Sequence, residues 1–485
     1  MKKTANDRIQ CRQKGNENIS TPSLLIAAPS SGSGKTMITC GLLKLLKQRG
    51  IRVSACKCGP DYIDPMFHEQ ALGVPSGNAD TFFQTPEQIL KLYEERGKEE
   101  KSELFITEGV MGLYDGLGGI RQEGSAYHLA RVLDCPVILV VDARGMGRSV
   151  LSLIRGFLAD DTSHLIKGVI FNRMTRGMYE TIAKVAESEL GIGILGFVPQ
   201  DSTLSFESRY LGLTLPGEQK MLAEKLRKLT DIMEESVDLE EICRIAGLGD
   251  PAASDDAKGE ENSLEAAIER GMEQCMDCRP TANRTRPVRL AVARDEAFCF
   301  YYRENLRLLT GAGAELVPFS PLHDRGLPED ICGLYLGGGY PEKFAKELAA
   351  NQRMKNEIRQ AVGAGVPTIA ECGGFLYLHE RLQDETGQIF EMAGALQGEC
   401  FYTGRLVRFG YVEIEDENGV VLRGHEFHYY DSTNNGTDCL ISKPVSGKSY
   451  RGMHVTDTLR IGFPHLYFPS SPGFAEDFIE KMRRS

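Results

Sequence analysis

The sequence predicts an α/β protein made of two doubly wound domains, from its length, its apolar patterning and one polar interruption. The chain has 485 residues, whereas single domains seldom exceed about 250 to 300 residues. Short apolar runs alternate with longer amphipathic stretches, a pattern typical of parallel strands joined by crossover helices. Between residues 247 and 287 this pattern gives way to small, charged and turn-forming residues. We therefore expect a linker between two domains there.

The first domain is expected at residues 21–246, after a loose polar tail at residues 1–20. Its strands are predicted at LLIAA (24–28), LFITE (104–108), VILVV (137–141), GVIFN (168–172) and GILGFV (193–198). The second domain is expected at residues 288–485, with strands predicted at VRLAVA (288–293), ELVPF (315–319), ICGLYLGGG (331–339) and VPTIAEC (366–372). Apolar runs of this length, bounded by turn formers, indicate strands buried on both faces of a parallel sheet.

Composition narrows the class of protein. Acidic residues exceed basic ones by 68 to 56, for a formal charge of -12, which argues against a nucleic-acid partner. The apolar runs fall far short of the roughly 20 residues that a membrane span needs, and the polar N-terminus resembles no secretory signal. The 13 cysteines are scattered, so we expect reduced thiols in a cytoplasmic protein. The isolated Cys275 and Cys278 pair does not predict a zinc site. A homo-oligomer is left open.

A phosphate-binding loop is indicated by APSSGSGKT at residues 28–36, between a predicted strand and the helical pattern GLLKLLKQRG. Glycines let backbone amides converge on phosphate oxygens, a lysine neutralises their charge, and a final hydroxyl reaches magnesium. The loop departs from the pattern GxxxxGK[ST] at its first position, where Pro29 replaces glycine. The predicted nucleotide-binding residues are Gly32, Ser33, Gly34, Lys35 and Thr36.

Magnesium beside a phosphate loop also requires carboxylates near the strand ends. Candidates are Asp61 and Asp64 in KCGPDYIDP, Glu108 at the end of LFITE, and Asp142 after VILVV. Asp142 suits a helix cap equally well. Asn172 ends another predicted strand, where an amide is placed to read an adenine edge.

Ten motifs in chain order resemble those of the cobyrinic acid a,c-diamide synthases, glutamine-dependent amidotransferases of corrinoid synthesis. They run from residue 28 to residue 468 and are APSSGSGKT, KCGPDYIDP, EGVMGLYDG, GVIFNR, GFVPQ, RYLGL, GGGYPE, AECGGFLYL, GHEFHY and PHLYF. The strings KCGPDYIDP and GHEFHY are the more specific ones. This chain departs from the family pattern at Cys58, where valine is usual, and at Tyr210, where histidine is usual.

The resemblance implies roles for particular residues. The first domain is similar to dethiobiotin synthetase, a P-loop ligase that activates a carboxylate with ATP. A magnesium site is implied at Thr36, Asp61 and Glu108, and a nucleotide-base contact at Asn172. The implied substrate residues are Tyr62, Asp64, His425 and His428, the last two in GHEFHY. The second domain resembles a class I glutamine amidotransferase.

Cys372 is the expected nucleophile of the second domain. It ends an apolar strand and is followed at once by GGFLYLHE, so AECGG is a variant of the elbow that exposes a nucleophile at a strand-to-helix turn. A helix N-terminus there is expected to favour its thiolate.

His465 in PHLYF aligns with the catalytic histidine of class I glutaminases. Many of those enzymes carry glutamate two residues later, where this chain has Tyr467. We therefore expect a dyad of Cys372 and His465 instead of a triad. Backbone amides of GGGYPE, at Gly338 and Gly339, are the expected oxyanion donors.

Together the motifs predict an ATP- and Mg²⁺-dependent amide ligase, and the family resemblance implies that it amidates the c- and then the a-acetate of cobyrinic acid. L-glutamine or free ammonia would supply the nitrogen, and a phosphorylated carboxylate would be the intermediate. The same chemistry on hydrogenobyrinic acid or nickel sirohydrochlorin is the alternative. Two rival classes are a P-loop switch ATPase and a ligase whose second domain is only a binding module.

Overall fold

The computed structural model describes residues 20–204, 216–249 and 287–484. Tyr210, Cys275 and Cys278, with most of the predicted tail and linker, lie outside the described residues. The described chain divides into two units. The first contains residues 20–59, 63–81 and 85–249, and the second contains Pro60–Tyr62, Phe82–Gln84 and residues 287–484. The domain boundaries expected from the sequence stay predictions.

The first unit is built on a seven-stranded sheet in which every pairing is parallel, with the order β3-β2-β4-β1-β5-β6-β7. Its strands are β1 (Ser23–Ala27), β2 (Val53–Cys58), β3 (Asn78–Ala79), β4 (Leu104–Glu108), β5 (Val137–Asp142), β6 (Ile166–Asn172) and β7 (Gly193–Val198). The central strands β1, β4 and β5 are mostly apolar because both faces of the sheet are covered, and their polar residues lie at or near the strand ends.

Helices cover both faces of this sheet. They are α1 (Lys35–Gln48), α2 (Ile63–Leu72), α3 (Pro86–Glu99), α4 (Ala126–Leu133), α5 (Ser149–Asp160), α6 (Arg176–Leu190), α7 (Pro216–Ser236) and α8 (Leu239–Ile245). Local signals fix several starts: Thr85 and Gln88 form a capping box at α3, and the Ser125 hydroxyl accepts from the His128 amide at α4. None of the helices in the described chain is long and apolar enough to cross a membrane.

The second unit has a mainly parallel sheet of six strands in the order β10-β8-β11-β13-β23-β22, in which β22 alone runs antiparallel to its neighbour. Its strands are β8 (Val288–Ala293), β10 (Ala314–Phe319), β11 (Gly333–Leu336), β13 (Thr368–Glu371), β22 (His454–Val455) and β23 (Leu459–Gly462). The α/β fold class expected for both domains is confirmed.

Three smaller sheets in the second unit were not predicted from the sequence. One is the antiparallel order β21-β20-β17-β18-β24, formed by β17 (Arg408–Asp416), β18 (Val421–His428), β20 (Cys439–Ser442), β21 (Ser449–Gly452) and β24 (His465–Tyr467). The others contain β9 (Phe298–Phe300), β12 (Gly338–Gly339), β14 (His379–Gln383), β15 (Ile389–Glu391), β16 (Leu396–Tyr402) and β19 (Tyr430–Ser432). The helices of this unit are α9 (Arg303–Gly311), α10 (Ala345–Ala350), α11 (Gln352–Gly363), α12 (Gly373–Leu378) and α13 (Phe474–Arg484).

Candidate functional site

The phosphate loop connects β1 to α1, and its shape depends on two glycines. Gly32 and Gly34 have φ of 76° and 95°, a left-handed conformation that other residues adopt only with strain. A Cβ atom at Gly34 would lie 2.1 Å from the amide nitrogen of Asn172. That amide, at the end of β6, donates a 2.8 Å hydrogen bond to the Ser33 carbonyl. The Asn172 side chain therefore stabilises the phosphate loop. Its expected contact with the base of the nucleotide stays a prediction.

Lys35 is the first residue of α1 and is buried in the first unit. Its ammonium donates to the carbonyl oxygens of Met111 (2.5 Å) and Ser30 (3.3 Å). Burial, with the nearby positive charge of Lys57, lowers the pKa of Lys35 to about 8. An anion such as phosphate would reverse this shift, so the loop is built to take a negatively charged ligand.

Carboxylates expected at the strand ends meet the loop in a buried cluster. The Thr36 hydroxyl donates a 2.5 Å hydrogen bond to Glu108 Oε1 at the end of β4. Lys57 Nζ, on β2, lies 2.9 Å from the same oxygen and 2.5 Å from Asp64 Oδ2. Burial and the neighbouring Asp64 raise the pKa of Glu108. Asp64, a magnesium candidate from the sequence and a substrate residue by the family resemblance, therefore lies beside Glu108. By contrast, Asp142 at the end of β5 pairs with the Arg173 guanidinium (2.6 Å).

The chemistry of this cluster fits a magnesium ion. Glu108 Oε2 is buried, lies 3.7 Å from His68 Nε2 and has no hydrogen-bond partner among the described residues. A hydroxyl and two carboxylates are oxygen ligands of the type that Mg²⁺ takes. Within the described ranges, no group of three or more His, Cys, Asp and Glu side chains is arranged to hold a metal ion by itself. Asp61 belongs to Pro60–Tyr62 of the second unit, and its metal role stays a prediction.

Cys372 lies at a strained turn between β13 and α12. Its φ of 45° and ψ of -100° are outside the allowed regions for an ordinary residue. The next two positions admit only glycine, since a Cβ at Gly374 would lie 2.1 Å from the Leu336 carbonyl oxygen and one at Gly373 would lie 3.0 Å from the Gly339 amide nitrogen. This is the geometry of a nucleophile elbow.

The strand order places His465 beside this turn. In the main sheet β13 pairs with β23, with Glu371 opposite Gly462, and the chain then runs directly into β24, which begins at His465. A Cβ at Gly338 would lie 2.3 Å from His465 Cε1. The structure thus brings the Gly338–Gly339 strand against both the elbow and the expected base.

Burial favours the neutral forms of the expected nucleophile and the expected base. Burial, followed by the Glu342 carboxylate, raises the pKa of the Cys372 thiol above its ordinary value. Burial and nearby His428 lower the pKa of His465 to about 3. The expected preference for a thiolate is therefore wrong for the resting protein, because α12 has only six residues and desolvation outweighs its dipole. A thiol beside a neutral imidazole can still transfer its proton during attack.

The other predicted substrate residues lie near this base. His425 on β18 is directly opposite His465 on β24, and the two ring centroids are 4.9 Å apart. The His428 ring stacks on Phe463 at 4.0 Å. Tyr62, in a segment of the second unit, has its ring centroid 5.2 Å from that of His465. The predicted roles of Tyr62, His425 and His428 toward substrate remain predictions.

Glu371, the residue before Cys372, was missed by the sequence reasoning. Its two carboxyl oxygens accept from the Leu466 amide (3.1 Å) and the Tyr335 hydroxyl (3.2 Å). The Asn305 amide group donates to the Leu466 carbonyl at 2.8 Å from the other side. These hydrogen bonds connect β13, which precedes the expected nucleophile Cys372, to β24, which contains the expected base His465. An acidic residue within an apolar strand was the available signal.

Replacing Glu371 by glutamine should change how stability depends on pH. Burial raises the pKa of Glu371 from 4.5 to about 8, so the protonated form stabilises the fold fully below pH 4.5 and this stabilisation is lost as pH rises through 8. A shift of this size corresponds to about 5 kcal/mol. Urea unfolding at pH 5 and pH 9 should show a smaller loss of unfolding free energy for Glu371→Gln than for the unsubstituted protein. Equal losses would contradict the assignment, and Glu347→Gln on the exposed side of α10 is the control.

Comparisons with known proteins cover both units. Residues 24–210 match the family of CobQ/CobB/MinD/ParA nucleotide binding domains, and residues 289–461 match the CobB/CobQ-like glutamine amidotransferase domain. The chain is 36% identical over 463 residues to cobyrinate a,c-diamide synthase of Picrophilus torridus, with 94% of this chain and 98% of that protein covered. The enzyme of the same name from Listeria innocua is 36% identical, over 93% and 97% of the two chains. That from Salmonella typhimurium is 34% identical, over 95% and 98%. Similarity of this extent shows that the chain belongs to the cobyrinate a,c-diamide synthase family.

Proposed function

We propose that the protein uses ATP to convert the c- and a-acetate carboxylates of cobyrinic acid to amides, with ammonia taken from glutamine or from solution. The observation that carries the proposal is that one chain contains both a phosphate loop with a buried lysine and a cysteine at a strained elbow beside a histidine. Neither the phosphate loop nor the elbow alone would require the other. Activation of a carboxylate and release of ammonia are the two halves of glutamine-dependent amidation.

The phosphate loop supplies the activation. A carboxylate oxygen of the substrate attacks the γ-phosphorus of ATP, the bond to the β-phosphate oxygen breaks, and ADP leaves. Lys35 neutralises charge on the transferring group. Thr36, Glu108 and Asp64 are the residues that would hold Mg²⁺, which when bound neutralises phosphate charge. Ammonia then attacks the acyl phosphate carbon and displaces phosphate to leave the amide.

The elbow supplies the ammonia. Cys372 Sγ attacks the side-chain amide carbon of glutamine, and the thiol proton passes to His465. The imidazolium returns this proton to the leaving nitrogen, which departs as ammonia. Water, with His465 as base, hydrolyses the glutamyl thioester to glutamate and restores the thiol. In this proposal the backbone amides of Gly338 and Gly339 donate to the oxyanion.

The decisive experiment is to offer cobyrinic acid, hydrogenobyrinic acid and nickel sirohydrochlorin separately, with ATP, Mg²⁺ and glutamine, and to weigh the products. We expect the diamide of cobyrinic acid and no comparable product from the other two. Preferential amidation of another tetrapyrrole would transfer the proposal to that substrate. ATP hydrolysis without any amide product would favour the switch ATPase, which has no use for Cys372 or His465.

Glu108→Gln should impair phosphoryl transfer more than tetrapyrrole binding. The amide keeps the size of the side chain but removes the negative charge beside Thr36 and Lys57. We expect kcat to fall by roughly tenfold or more, with Kd for cobyrinic acid within about threefold of the unsubstituted value. Steady-state kinetics across magnesium concentrations and equilibrium binding measure the two quantities. Glu94→Gln, an exposed change on α3, is the matched control. Unchanged kcat at every magnesium concentration would make Glu108 a structural residue.

A further inference from the structure

The expected base lacks an orienting hydrogen bond. His465 Nδ1 is buried and makes no hydrogen bond within the described chain. Two residues on, where many class I glutaminases carry an acid, Tyr467 offers no carboxylate. Rotation of an imidazole about its χ2 bond is soft. Some other contact must therefore fix the His465 ring in the orientation that receives the thiol proton.

His425 faces His465 across two paired strands. Residues directly opposite in antiparallel strands project their side chains to the same face with closely spaced Cβ atoms. The two imidazoles stack with centroids 4.9 Å apart and planes inclined by 17°. Gly338 contacts the Cε1 edge of His465, where a Cβ would lie at 2.3 Å. The imidazole of His465 therefore lies between the backbone at Gly338 and the imidazole of His425.

Tyr302 anchors the second imidazole. Its hydroxyl and His425 Nδ1 share a 2.9 Å hydrogen bond, and both side chains are buried, with 1% and 8% exposure. The ring of Tyr302 also meets Tyr467 edge to face, with centroids 5.4 Å apart. The residue that replaces the usual acid is thus part of the same ring cluster. The contacts run from Tyr302 through His425 to His465.

We propose that His425, anchored by Tyr302, is a positioning residue for glutamine hydrolysis that orients His465 by stacking, in place of the absent carboxylate. This role rests on the proposed dyad of Cys372 and His465. It differs from a role for His425 at the tetrapyrrole, because a positioning residue of the glutaminase site has no task when ammonia is supplied from solution.

The test compares His425→Ala, His425→Phe, Tyr302→Phe and the double variant with both phenylalanines. Hydrolysis of glutamine to glutamate and ammonium-supported amidation are measured separately. His425→Ala should lower kcat for hydrolysis by about 100-fold, the scale expected for misplacement of a reacting group by about 1 Å. KM for glutamine should stay within about threefold, and hydrolysis of glutamine should fall by a much larger factor than ammonium-supported amidation does.

The phenylalanine variants isolate the anchor. His425→Phe keeps a ring for stacking but loses the hydrogen bond, so its kcat should lie between those of His425→Ala and the unsubstituted protein. The Tyr302 hydroxyl also lies 3.4 Å from the Pro60 carbonyl, and a double-mutant cycle separates this contact from the bond to His425. The effects of Tyr302→Phe and His425→Phe should be less than additive. Tyr377→Phe is the control, because the buried hydroxyl of Tyr377 has no hydrogen-bond partner in the described chain.

Three outcomes would overturn the inference. Loss of ammonium-supported amidation in His425→Ala, with thermal unfolding unchanged, would place His425 at the acceptor substrate. Additive losses in the double variant would show that the hydrogen bond does not link the two residues. A raised KM with unchanged kcat would indicate glutamine binding instead of positioning. If the unsubstituted protein hydrolyses glutamine but amidates no tetrapyrrole, the proposed function fails while the hydrolysis assay still tests His425.

Discussion

Cys372→Ser should lose glutamine-dependent amidation by roughly 10³-fold or more, the scale at which loss of a nucleophile acts in other hydrolases. A serine hydroxyl is far less acidic than a thiol, and a base as weak as the buried His465, with its pKa near 3, cannot activate it. High ammonium should restore amidation, because the residues proposed to phosphorylate the carboxylate lie in the first unit. Product formation with glutamine and with ammonium chloride is measured side by side.

Two further variants sharpen this result. His465→Ala should behave as Cys372→Ser does, since either change removes half of the dyad. Cys332→Ser, which changes a half-buried cysteine of the same unit, should retain both activities. Failure of ammonium to restore amidation in Cys372→Ser would contradict the proposed division of labour between the units. Retention of glutamine-dependent activity would remove Cys372 as the nucleophile.

Lys35→Ala should abolish amidation with either nitrogen source. Lys35 is the one basic residue in APSSGSGKT, and its loss leaves the transferring group without a positive partner from the phosphate loop. We expect a fall of about 10³-fold in kcat with cobyrinic acid and ammonium. Glutamine hydrolysis without ATP should continue at the unsubstituted rate.

The control for this variant is Lys91→Ala, which removes an exposed lysine on α3. Binding of a fluorescent ATP analogue to Lys35→Ala reports whether the loop still takes nucleotide. Near-normal amidation by Lys35→Ala would disprove the phosphate site.

Much of the fold could be predicted because apolar strands buried on two faces leave a clear pattern. The runs at 24–28 and 137–141 overlap β1 and β5 almost residue for residue. Strand β2, VSACKC, was missed because its lysine interrupts the apolar run, although that lysine turns inward to Asp64 and Glu108. The smaller sheets from residue 379 onward, one antiparallel and one mixed, were missed because their strands are half exposed and mix polar with apolar residues.

The positions of the site residues were predictable from the sequence, but the contacts of their side chains were not. Motif residues such as Lys35, Thr36 and Glu108 fall where the sequence places them, because strand ends and loops fix their positions. The orientation of a side chain depends on partners distant in sequence. Nothing near Asn172 in the sequence shows that it hydrogen-bonds Ser33, and nothing near His425 shows that it meets His465. Desolvation of Cys372 likewise follows from packing alone.

The close approach of Gly34 to Asn172 affects which positions of the phosphate loop can accept substitutions. Pro29, at the first glycine of the usual motif, lies outside the positions with positive φ, so the backbone there makes no demand for glycine. Gly34 cannot change without displacing Asn172. The six motif positions from Pro29 to Gly34 are thus constrained unequally. We expect substitutions to accumulate at the first position, whereas Gly34 and Asn172 should be retained together. A search for remote homologues would gain sensitivity by scoring that pair jointly and relaxing the first glycine.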